Sequence, residues 1–236
     1  MVAFGGLPGQ DAPASEWLPF RDYLTGLTGR RRPRVCVLAT ATGDNPAMVE
    51  AMQARFADTC ETSYLALFAQ PNVADPEDLL LSQDLIFVGG GSVANMLAVW
   101  RVHELDQIMP EAWRRGVVLS GVSAGAICWF ESGTTDSFGP ELRPFTAGLG
   151  MLAGSYCPHY DAEPGRRPLY TSLVAQRALP PGYACDNNAG THFADITLAG
   201  LVTGSPAARG YRVEPDGAGG STEVPLESQR LPGAAG

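Results

Sequence analysis

One serine stands out by its flanks. In Gly121-Val122-Ser123-Ala124-Gly125 it has a glycine two residues away on either side, and the segment joins the strand-like run Val117-Val118-Leu119-Ser120 to the helix-like run Ala126-Ile127-Cys128-Trp129. A serine on a sharp strand-to-helix turn is pushed outward, and small residues at those two positions let the chain pass close to itself. The chemistry open to such a serine is acyl transfer, which needs a base to take the hydroxyl proton and N–H donors to hold the oxyanion. The G-x-S-x-G pattern also arises by chance and in plain turns, so alone it leaves a structural role open.

Three histidines are available as the base. His103 falls in a helical stretch and reads as a packing or surface residue, and His192 lies in the strand-like run 190–194. His159, in Tyr156-Cys157-Pro158-His159-Tyr160-Asp161, follows a proline that stiffens the approach, as expected of a side chain held at a site; position alone leaves a structural role for it, and a site role for His192, open. For the oxyanion, Ala124 offers its N–H at the start of the helix after the serine. The turn Gly89-Gly90-Gly91-Ser92 offers Gly91 and Ser92 beside it.

The elements that must position these residues alternate. Residues 34–40 form a β-branched apolar run ended by the turn cluster Thr40-Ala41-Thr42-Gly43-Asp44, residues 46–59 carry helical spacing, and residues 63–68 return to strand character. Strand 84–88, helix 93–109 and strand 116–120 repeat the pattern. The expected fold class is therefore α/β: a single-domain, mostly parallel sheet with helices on both faces. Ligand groups in such sheets gather at the carboxyl ends of the strands, where both glycine-rich turns fall.

The chain's 236 residues, 45% of them hydrophobic, suffice for one core, so one catalytic domain is expected over residues 1–213. Residues 214–236 are dominated by Gly, Ser, Pro, Glu and Ala and read as a poorly ordered tail. A net charge of −9 argues against nucleic acid as a partner, and the basic run 30–34 reads as gatekeeping charge before a strand. Five scattered cysteines without a C-x-x-C pair read as reduced, buried thiols rather than zinc ligands. With no apolar stretch near membrane-spanning length and no signal-like N-terminus, the expected location is cytoplasmic, with no membrane partner. Apolar surface and an open sheet edge would allow a homodimer.

Four motifs in order, Phe87-Val88-Gly89-Gly90-Gly91-Ser92, Gly121-Val122-Ser123-Ala124-Gly125-Ala126, Pro158-His159-Tyr160-Asp161 and Tyr183-Ala184-Cys185-Asp186-Asn187-Asn188, resemble the peptidase E (aspartyl dipeptidase) family over roughly residues 34–200. That family includes cyanophycinase among its relatives and shares the class I glutamine amidotransferase-like fold. The resemblance implies a serine peptidase with Ser123 as nucleophile, His159 as base, short peptides as substrates, and no metal or organic cofactor. Its triad runs serine, histidine, acid, whereas α/β-hydrolases run serine, acid, histidine. Family members usually carry Glu or Asp where this chain has Asn187. An amide orients an imidazole without balancing its charge. Asn187 is then the third member, or its neighbour Asp186 supplies the carboxylate, or the protein is weak or inactive and binds an amino acid or peptide instead; Asp136 reads as a loop or cap residue. The family's preference for an amino-terminal aspartate would call for a cation near the nucleophile, for which Arg166 and Arg167 are the candidates. A glutamine amidotransferase would carry cysteine at the elbow, and a generic esterase a histidine after the acid.

Overall fold

Buried parallel strands need near-continuous aliphatic runs, and the chain supplies them: every residue of Leu85–Val88 is buried, as are the last four of Arg34–Leu38. A computed structural model describes residues 1–9 and 12–233. The first half runs β1 (Val2–Phe4), α1 (Ala14–Leu27), β2 (Arg34–Leu38), α2 (Pro46–Ala54), β3 (Glu61–Leu65), α3 (Pro76–Leu81) and β4 (Leu85–Val88). The middle follows with α4 (Val93–Val102), α5 (Leu105–Arg114), β5 (Val118–Val122), α6 (Ala124–Ile127), β6 (Phe130–Thr135), β7 (Arg143–Phe145) and β8 (Leu152–Cys157). The last part is α7 (Arg166–Ala175), β9 (Gly182–Cys185), β10 (Ala189–Ala194), β11 (Thr197–Thr203), β12 (Gly210–Pro215), β13 (Ser221–Pro225) and β14 (Ser228–Arg230).

The main sheet has the order β14-β11-β10-β1-β5-β4-β2-β3, with the five strands from β1 to β3 parallel. Side chains alternate across it. Phe4, Val35, Val37, Leu85 and Phe87 meet Trp17, Phe20, Met52 and Phe56 on one face. Cys36, Leu38, Ile86, Val88 and Leu119 meet Met96, Leu97, Trp100 and Met109 on the other. Helices thus cover both faces, as the alternation of elements implies.

Four features depart from the sequence reading. The stretch 93–109 is two helices: the buried stripe Val93, Met96, Leu97, Trp100 resumes at Leu105, Ile108, Met109, Ala112, and the five-residue step from 100 to 105 does not fit one 3.6-residue period. A break at Glu104, with φ 59°, resets the phase so that both halves face the core. A second sheet, β13-β12-β9-β8-β6-β7, packs beyond α6. Its strands are rich in Gly, Ser and Thr, which hid them among turns. Val2–Phe4, too short to register as a strand, is inserted at the centre of the main sheet between β5 and β10. Finally, the expected poorly ordered tail is ordered in its described part: β13 pairs with β12, β14 with β11, and Leu231 is buried with its N–H on Thr203 O. Ladder hydrogen bonds hold a segment there that has few large apolar side chains of its own.

No helix among the described residues is long and apolar enough to cross a membrane.

Candidate active site

β4 and β5 are adjacent parallel strands, so their carboxyl ends deliver the Gly89-Gly90-Gly91 turn and Ser123 to the same place. Ser123 has φ 55° and ψ −115°, a conformation L-residues avoid, and its N–H is anchored on Phe4 O at 3.1 Å. The flanking glycines permit this turn for a steric reason. A Cβ on Gly121 would lie 2.1 Å from Gly125 O, and one on Gly125 would lie 2.4 Å from Val88 O. A Cβ on Gly90 would lie 3.2 Å from the Ser123 Cβ, so the glycine turn lies directly against the serine.

His159 and Asn187 complete a continuous chain of contacts. His159 Nε2 is 2.9 Å from Ser123 Oγ, and Nδ1 is 2.8 Å from Asn187 Oδ1. An amide oxygen only accepts, so Nδ1 carries the proton and Nε2 is left to accept from the Ser123 hydroxyl. This is the tautomer a general base requires. His159 itself has φ 51°, with its N–H on Gly5 O at 3.3 Å. Asn187 is held from behind by Asp161, whose Oδ1 accepts its N–H at 2.8 Å.

The other sequence-predicted residues divide. Ala124 opens α6 directly after Ser123, and Gly91 lines the cavity beside it. Among the described residues, the N–H groups of Gly90 and Gly91 have no main-chain acceptor. Ser92 does not join them: its N–H is donated to Ala41 O at 2.8 Å, and its Oγ accepts the Asn95 N–H as the cap of α4. Asp186 is not the third member, because its carboxylate turns away to accept the Arg209 N–H at 2.8 Å. Burial raises its pKa to about 6.

The two arginines proposed to read substrate are occupied elsewhere. Arg166 is buried, donating to Glu163 at 2.7 Å and to Thr134 O at 2.8 Å. Arg167 pairs with Glu223 and lies over the rings of Tyr160 and Tyr211, each at 5.2 Å. Both serve the packing of α7 on the second sheet. His192, on β10, meets the Tyr23 hydroxyl at 2.8 Å, His103 follows the end of α4, and Asp136 is exposed in a turn.

Two contributors escaped the sequence reading. Gly6 lies against the His159–Asn187 pair, where a Cβ would be 2.0 Å from Asn187 Oδ1 and 3.0 Å from His159 Nδ1. The adjacent glycines at 5 and 6 were the available signal. Arg55, just past α2, lines the cavity that opens on Ser123 and His159. That cavity measures about 330 Å³, and its walls are largely apolar, including Leu7, Met48, Met52 and Phe87.

Comparison with known proteins follows the same line. The sequence model of peptidase family S51 matches residues 9–199. A Bacillus subtilis (strain 168) protein named "Uncharacterized peptidase YgaJ" is 41% identical over 214 residues, covering 90% of this chain and 91% of that protein. Among solved structures, a peptidase from an acI-B1 actinobacterium superposes with a TM-score of 0.69 at 18% identity, over 96% of this chain and 93% of the other. A putative peptidase E protein from Listeria monocytogenes EGD-e gives 0.56 at 18% identity, over 82% and 94%. At that level of identity the two structures speak to the fold alone.

Proposed function

The chain belongs to peptidase family S51 and is a serine-type peptidase, and from that premise we propose that it hydrolyses short peptides, as a dipeptidase or aminopeptidase-like enzyme, through an acyl-enzyme on Ser123 with His159 as general base. The observation that carries this reading is the unbroken series Ser123 Oγ, His159 Nε2, His159 Nδ1, Asn187 Oδ1, with separations of 2.9 and 2.8 Å. His159 Nε2 takes the Ser123 proton as Oγ attacks the peptide carbonyl. Main-chain N–H groups of Gly91 and Ala124 hold the oxyanion, and the imidazolium returns its proton to the leaving amine. A water activated by the same nitrogen then releases the acyl group. Asn187 fixes the tautomer and the ring plane throughout; its amide adds no charge to stabilise the imidazolium. Asp186 has no part in these steps. No metal or organic cofactor enters them.

The test pairs the protein with its Ser123→Ala form, a dipeptide panel and a fluorophosphonate probe. Release of free amino acids, with labelling abolished by the substitution, supports the proposal. Folded protein that neither turns over peptides nor takes the probe would sink it, and would point to Asn187 as the mark of a site kept for binding.

A further inference from the structure

We propose that Arg55 reads a carboxylate of the substrate from the wall of the apolar cavity beside Ser123, making it the specificity-determining cation of this site. The inference rests on the peptidase reading in one respect, that Ser123 marks the reacting end of the cavity.

Arg55 is fixed before any ligand arrives. Its Nη2 donates to Pro8 O at 2.7 Å, its guanidinium carbon sits 4.6 Å from the centre of the Trp17 ring, and its own carbonyl accepts the Trp17 indole N–H at 3.2 Å. Both rotamer and plane are therefore set. What is missing is an anion. Arg21, Arg166 and Arg212, the other arginines drawn out of solvent, each meet a carboxylate, at 2.8, 2.7 and 3.0 Å. Among the described residues Arg55 meets none. Its half-burial without a counter-charge lowers its pKa from the ordinary arginine value, yet guanidinium stays charged at neutral pH. A half-buried cation is costly unless paired, and among the described residues only one of its five N–H donors is engaged.

The rest of the cavity limits what can bring the missing charge. Met48, Met52 and Phe87 offer dispersion contacts and no hydrogen-bond donor from their side chains. A small peptide fits this combination by laying an apolar side chain on those three while a carboxylate reaches the guanidinium fork. Within a short peptide that carboxylate comes from one of two sources. It is the terminal carboxylate of the residue after the cleaved bond, which would itself exclude longer chains, or it is an acidic side chain.

The experiment measures kcat and KM of the wild-type protein on Ala-Leu, Ala-Leu amide and Asp-Leu amide, and the Kd of the same peptides for Ser123→Ala by calorimetry. Losing a hydrogen bond to a charged group predicts that amidation raises KM and Kd about ten- to a hundredfold with kcat little changed, if the terminal carboxylate is read. If the side chain is read, Asp-Leu amide instead outbinds Ala-Leu amide by that factor. In either case Arg55→Gln removes the discrimination and Arg55→Lys retains part of it, with thermal unfolding as the control for folding. Equal KM and Kd for all three peptides in the wild-type background overturns the proposal even if the variants fail to fold. Equal weakening of acid and amide forms by Arg55→Gln overturns it too. Discrimination in Kd without any turnover by the wild type would instead refute the peptidase reading and leave this one standing.

Discussion

Replacing Asn187 with aspartate tests the least usual feature of the site. The side chain keeps its shape, and the acceptor 2.8 Å from His159 Nδ1 gains a full negative charge. A neutral hydrogen bond is worth about 0.5–1.5 kcal/mol and one to a charged group about 1.5–3, so the imidazolium formed during attack gains about 1 kcal/mol or somewhat more. At 1.36 kcal/mol per tenfold, Asn187→Asp should raise kcat/KM on the alkaline plateau about fivefold to tenfold. Asp161 offsets part of this gain, because its carboxylate already accepts the N–H of residue 187 and like charges repel. Adding Asp161→Asn should recover that part. Asn187→Ala, which leaves Nδ1–H without its partner, should lower kcat/KM roughly tenfold to a hundredfold. The assay is a dipeptide pH–rate profile from pH 5 to 10 for the four proteins. An unchanged kcat/KM in both Asn187 variants would refute the role assigned to this side chain.

Gly6→Ala places a methyl 2.0 Å from Asn187 Oδ1, so kcat should fall at least as far as in Asn187→Ala; overpacking should cost about 1–3 kcal/mol in denaturant unfolding. Asp186 has its folded-state pKa raised from 3.8 to about 6, so its ionisation opposes folding. Its contribution is unfavourable at neutral pH and disappears as pH falls below about 4. Asp186→Asn should therefore stabilise the protein by up to about 3 kcal/mol at pH 7.5 and by almost nothing at about pH 3, read as the pH dependence of denaturant midpoints. Arg166→Met should lose the buried contact with Thr134 O, at about 1–3 kcal/mol and a Tm lower by about 3–10 °C. It should leave the ranking of dipeptide substrates as it was, since Arg166 does not line the cavity. A changed ranking would return that arginine to the site.

The elbow was legible because its pattern is local, five residues from Gly121 to Gly125, even though Gly125 is demanded by the close approach of Val88 O from the neighbouring strand. His159 and Asn187 were legible through ordered motifs, and the contact between them rewards that order. What sequence order could not convey was direction. Asp186 and Asn187 are neighbours on the chain, yet only one faces His159 while the other turns to the Arg209 amide. Ser92 stands in the glycine turn where a donor is expected, yet its N–H is donated to Ala41 O. Arg166 and Arg167 read as candidates for the substrate because nothing local announces partners as distant as Thr134 O for the first and Glu223 for the second. Arg55 carries no signal of its own in the sequence, because its setting depends on Trp17 and Pro8 from another part of the chain. The second sheet was missed because Gly, Ser and Thr in β6 and β8 carry little strand signal of their own.

The position of β1 has a consequence for when catalytic competence arises. This strand is hydrogen-bonded between β5 and β10, Ala3 O takes the hydroxyl of Tyr156 from 153 residues away, and the Gly5 and Gly6 carbonyls receive the N–H groups of His159 and Asn188. Closing such spans is entropically expensive and slow, so they form late on the folding path. A chain halted during synthesis, or cut, between residues 123 and 159 carries Ser123 without His159. Ser123 and His159 are therefore brought together only when these spans close, and fluorophosphonate capture during refolding should lag behind the recovery of helical signal.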